Sequence, residues 1–116
     1  MNEEERLAQL RKRITLVLAD DEEFLEEIYL DVNFSLHEHQ SFQGSRFEYV
    51  AYDVRFRLSE ILEMLAHMEH ESLVAFRMVK GFPTECGVAT NMYRLTDLGA
   101  SYCKALVTKG VMGIFQ

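Results

Sequence analysis

Leu7, Leu10, Ile14 and Val17 recur three or four residues apart, with Leu18 widening the stripe, so residues 3–18 are expected to form an amphipathic helix. A second stripe, Phe24, Leu25, Ile28, Tyr29 and Val32, lies opposite Glu22, Glu23, Glu26, Glu27 and Asp31, with Asp20 or Asp21 placed to cap its helix. From Asn33 to Ser45 the period is lost, and the segment reads as a loop or a frayed helix end. Phe47 to Tyr52 fits a short helix or a strand equally well. The helical template returns with Val54, Leu58, Ile61, Leu65 and Met68, filled in by Leu62 and Ala66, with Asp53 as the expected N-cap.

After this helix the period changes. Leu73 to Val79 is a β-branched and aromatic run, and Asn91 to Leu95 is a second short one, with Gly81, Pro83 and Gly87 between them. Two strands joined by a long tip make a wing. Thr96 is placed to cap a last helix carrying Leu98, Tyr102, Ala105 and Leu106, which Gly110 and Gly113 should end, leaving Val111, Met112, Ile114 and Phe115 as an apolar tail. Helix, strand, loop, strand and helix in this order predict an α+β, mostly helical fold, a winged helix-turn-helix with additional N-terminal and C-terminal helices. The division expected is one domain: an acidic helical part at 1–40, the winged-helix core at 41–108 and the tail at 109–116.

At 116 residues and 48% hydrophobic, the chain can bury a core without disulfides or metal. Its first residues, Met1 to Glu5, are acidic where a secretory leader would be basic, and no apolar run approaches the roughly 20 residues of a membrane span. A cytoplasmic protein in which Cys86 and Cys103 stay free thiols is therefore expected. The net charge is -7. All of that excess lies in residues 1–40, with eleven acidic and four basic side chains, whereas residues 41–116 carry eight of each. The wing-bearing part is thus not globally repelled by DNA, though it lacks a strongly basic footprint.

Ile61, Leu62, Leu65, the Ser72-Leu73-Val74 step and the run Tyr93-Arg94-Leu95-Thr96-Asp97-Leu98-Gly99 carry a resemblance over about half the chain. On these residues the chain resembles the winged-helix transcription regulators of bacteria and archaea, in particular the small dimeric multiple-antibiotic-resistance and phenolic-acid-decarboxylase regulator types. It departs from their pattern in two places. A clean second helix and turn is missing between residues 42 and 56, and Glu71-Ser72 stands where a glycine is usual.

The resemblance implies a regulator that binds double-stranded DNA. Arg55 and Arg57, in the first turn of the third helix, would meet the major groove or its phosphates; Arg77, Lys80 and Arg94 would hold the wing to the backbone, and Arg46 would add a phosphate contact. A homodimer would use Leu7, Leu10, Ile14 and Val17 of the first helix with Tyr102, Leu106, Ile114 and Phe115 of the last. The first-helix stripe suits packing on its own domain equally well. The rival expectation is a winged helix, of viral or plasmid origin, that meets protein through its acidic helix from Asp21 to Val32 without binding DNA.

Other constellations are weaker. His67 and His70, three apart, could face one another on a helix, but no close cysteine pair completes a metal site, so no cofactor is expected. Glu85 beside Cys86 opposes thiolate formation. Phe47, Tyr49, Tyr52 and Phe56 read as core more readily than as an effector pocket. No phosphate loop, nucleophile elbow or paired carboxylates suggest an enzyme.

Overall fold

The computed structural model describes residues 1–79 and 90–114. Helix α1 spans Glu3–Val17, strand β1 Glu23–Phe24, helix α2 Leu25–Asn33, strands β2 and β3 Phe34–Ser41 and Gly44–Ala51, helix α3 Leu58–His70, strands β4 and β5 Val74–Val79 and Thr90–Leu95, and helix α4 Asp97–Ile114. Strands β1, β5 and β4 form one antiparallel sheet in that order, and among the described residues β2 pairs only with β3. With β2–β3 removed, α1, β1, α2, α3, β4, β5 and α4 are the elements of a winged helix. One core joins them: Leu10 and Ile14 of α1, Ile28 and Val32 of α2, Ile61, Leu65 and Met68 of α3, and Val74 and Tyr93 of the sheet.

The expected first helix, the two strands of the wing and the Thr96 cap are present, and the expected tip with Gly81, Pro83 and Gly87 lies outside the described residues. Thr96 Oγ accepts the Gly99 N–H at 3.0 Å, as a cap should. Four expectations are corrected. The second helix begins at Leu25, not beside Asp21, because Glu23 and Phe24 pair with Tyr93 and Met92 as a strand. The region read as a loop is a hairpin of two eight-residue strands in full register from Phe34↔Ala51 to Ser41↔Gly44. The third helix begins at Leu58, with Arg57 and not Asp53 at its N-cap. Finally, α4 continues through Gly110 and Gly113 to Ile114, so most of the expected tail is helix; Phe115 lies outside the described residues.

The delayed start of α3 has a visible cause in α1, whose arginines reach inward. Arg13 Nη1 donates to Val54 O at 2.6 Å and to Val32 O at 3.1 Å, while its guanidinium lies 4.7 Å from the Tyr52 ring centroid. Arg6 donates to Arg55 O and holds both carboxylate oxygens of Glu60 at 2.9–3.2 Å. Residues 54–57 are thereby held outside the helix. The hydrogen bonds from Arg6 keep the Glu60 carboxyl below the usual range. A carboxylate with a depressed folded pKa stabilises above the unfolded value, about 4.3, and that contribution is lost as pH falls through the folded value. Urea unfolding from pH 7 to pH 3 should therefore show a smaller acid loss in Glu60→Gln than in the parent; equal losses would mean that the pair adds nothing.

Candidate nucleic-acid interface

The helix-turn-helix consists of α2 and α3, but their connection is not a turn of three or four residues. The hairpin β2–β3 is inserted into it. One side chain closes the base of this insertion: Asn33, the last residue of α2, is 1% exposed, donates from Nδ2 to Tyr29 O and Phe56 O at 3.0 Å, and accepts the Phe56 N–H at 2.6 Å. Its own carbonyl accepts the Tyr52 N–H at 2.9 Å. Nothing in the sequence pattern singled out Asn33, Arg6 or Arg13.

Phe56 is buried, and its neighbours Arg55 and Arg57 are exposed immediately before the first turn of α3. Neither arginine forms a salt bridge among the described residues. Beyond them α3 shows solvent Leu58, Ser59, Leu62, Glu63 and Ala66, and holds no lysine or arginine along its length. Leu62 and Ala66, expected on the core face, are exposed. Glu60 is drawn back to Arg6 and is not part of that surface. Tyr29, Leu30 and Leu58, with Glu26 and Arg57, line an open groove of about 600 Å³ between α2 and the start of α3.

In the wing, the pairings Ala75↔Arg94 and Arg77↔Met92 place Arg94 and Arg77 on one face, opposite the one that buries Val74 and Tyr93. Arg94 is exposed. Arg77 is engaged by Glu22 at 2.8 Å, with a further contact to Met92 Sδ at 3.4 Å. Arg46 stands on β3 opposite His39, whose Nε2 lies 3.0 Å from Glu48. Lys80 and Cys86 lie outside the described residues. The six expected DNA contacts thus fall on three elements: Arg55 and Arg57 before α3, the wing residues, and Arg46 on the hairpin.

Of the residues expected at a dimer interface, Leu10 and Ile14 are fully buried in the chain's own core, which corrects their assignment to a partner. Leu7 is exposed, Val17, Tyr102 and Leu106 are half-buried, and the side chains of Ile114 and Phe115 lie outside those described. The aromatic residues considered for a pocket are dispersed: Phe56 enters the core, Tyr52 lies under Arg13, and Phe47 and Tyr49 are exposed on the hairpin. Among the described residues no group of three His, Cys, Asp or Glu is placed to hold a metal ion, and no helix is long and apolar enough to cross a membrane. Cys103 is a buried free thiol.

No protein-family model and no curated protein matches the sequence. Among solved structures, a PadR-like transcription factor from Bacteroides fragilis is similar to this chain over 94% of its residues and 86% of that protein's, with a TM-score of 0.66 and 15% identity. At that identity the likeness is one of fold, and it supports the winged-helix architecture.

Proposed function

We propose that this protein is a DNA-binding transcription regulator, acting in the cytoplasm as a homodimer. The observation that carries the reading is the entrance to α3, where the winged helix-turn-helix leaves Arg55 and Arg57 exposed and without salt bridges among the described residues. The N-terminal residues of a recognition helix are the ones that reach base edges and phosphates. The uncharged surface of Leu58, Ser59 and Leu62 follows them, so the first turn can enter a groove before Glu63 is met. Arg94 supplies a wing contact, and Arg77 joins it only by giving up Glu22. Arg46 and Lys80 complete the phosphate contacts of this reading. The similar transcription factor supports it by fold.

Fluorescence anisotropy against a mixed-sequence duplex tests it, at about 50 mM and about 200 mM salt, where a set of phosphate contacts costs orders of magnitude in affinity. Binding should fall steeply with salt. Arg57→Ala should weaken binding to all sequences and reduce the salt slope by about one. Arg77→Ala should change it less, because its charge is already engaged. An unchanged slope for Arg57→Ala would remove the entrance of α3 from the site.

A second reading has its own support. The exposed side of α3 carries Glu63 and no cation, and α2 beside it shows Glu26, Glu27 and Asp31. On that reading the acidic face of α2 meets a basic protein and DNA is not bound. Absence of duplex binding at low salt would decide for it.

A further inference from the structure

The hairpin β2–β3 has two unlike faces. Residues paired across an antiparallel ladder share a face, so Leu36 with Tyr49 and Glu38 with Phe47 lie on one side, while His37 with Glu48 and His39 with Arg46 lie on the other. Leu36, Phe47 and Tyr49 are 54%, 61% and 56% exposed, and Phe42 at the tip is fully exposed. The hairpin also projects. Every residue from Leu36 to Ala51 is exposed. Two strands alone are marginal in water, and among the described residues nothing pairs with either outer edge of this pair or covers its apolar face.

We infer that this apolar face is covered by the same face of a second copy of the chain, hairpin against hairpin about a two-fold axis. The inference deepens the homodimer reading by naming its surface. Area supports it: aromatic side chains of this size offer about 150–250 Å² each, so Phe42, Phe47, Tyr49 and Leu36 together expose roughly 600 Å². Two such patches, wholly covered, bury about 1,200 Å², the lower end of the range for specific interfaces. Chemistry narrows the occupant, since the face carries Glu38 and no cation and so does not suit a nucleic acid. Permanence narrows it further. A hairpin this short of internal packing needs its cover whenever the chain is folded, and the partner always present with a folded chain is another copy of it.

Sedimentation equilibrium of the full chain tests the inference, using the parent, a Leu36→Glu/Phe47→Glu double variant and Leu7→Glu on the terminal-helix face. The parent should be a dimer; the double variant should dissociate at least about 100-fold more readily while keeping the helical part of its far-UV circular dichroism, and Leu7→Glu should remain dimeric. A monomeric parent overturns this inference and the homodimer reading together. A dimer that survives in the double variant and is lost in Leu7→Glu overturns the hairpin surface alone. Hydrogen exchange of the parent guards against misfolding of the variant. On dilution, amides of residues 34–51 should lose protection as the mass halves, and protection unchanged through that dissociation would overturn the inference.

Discussion

Replacing Asn33 by alanine is expected to destabilise the protein by about 3 kcal/mol, because it leaves the buried N–H and C=O of Phe56 without their partner. A buried amide that satisfies three backbone groups differs from a surface asparagine, whose loss costs little. The side chain also sets where α3 begins. It fixes Phe56, and Phe56 lies between Arg55 and Arg57, so the variant should lose duplex affinity as well as stability. Asn33→Asp should be no better, since a carboxylate still accepts from Phe56 N but cannot donate to Tyr29 O and Phe56 O. The check is urea unfolding at pH 7, read as a lower midpoint at unchanged slope. A loss under about 1 kcal/mol would mean that water or a backbone shift satisfies Phe56 without the asparagine.

What could be read from the sequence divides by the range of the forces involved. The stripe Leu10-Ile14 in α1 was legible because burial on one side of a helix imposes a period, whereas the run from Val74 to Val79, in which only Val74 is buried, was legible from its β-branched and aromatic composition. The hairpin has both faces largely in solvent, so only Leu36, Phe47 and Tyr49 hint at alternation. Strand β1 exists because a partner nearly 70 residues away in sequence supplies its ladder. The helical period running back from Leu58 to Val54 is real in the sequence, yet Arg13 and Asn33 override it by holding Val54 and Phe56 outside the helix. Tertiary hydrogen bonds outweigh propensity there.

The site divides in the same way. Arg55 and Arg57 were expected in the first turn of the third helix; they are exposed, but they stand just before it, because the helix starts at Leu58. Arg77 was read as a free wing cation, but its charge is engaged by Glu22, 55 residues earlier, which no local pattern reveals. Arg6, Arg11 and Arg13 lie off the apolar stripe of α1, yet their long guanidinium side chains reach Glu60, Glu71 and Val54. The substitution of Ser72 for the usual glycine changes less than it suggested. Ser72 itself takes φ 63°, and Leu73 N donates to Met68 O at 2.8 Å to end α3 as a glycine turn would.

Gly99→Ala is expected to lower stability by about 3 kcal/mol, and the sign of that effect is what makes it informative. Gly99 sits in the first turn of α4, where helix propensity alone predicts that alanine gains up to about 1 kcal/mol. Geometry predicts the reverse. A Cβ at position 99 would lie 2.0 Å from Leu73 O and 3.0 Å from its carbonyl carbon, with the Leu95 side chain at 3.2 Å. The carbonyl cannot easily retreat, because it accepts the Thr96 N–H at 3.0 Å, and Thr96 also donates from Oγ to Ser72 O. Relief therefore requires α4 to move off the base of the wing. The Thr96-Asp97-Leu98-Gly99 run follows from this: threonine caps the helix and ties it to residues 72 and 73, and glycine lets the first turn pass over the tied carbonyl. A thermal melt of Gly99→Ala should show a midpoint lower by more than about 10 °C. A rise would show that the turn opens freely, and with it that α4 does not hold the wing in place.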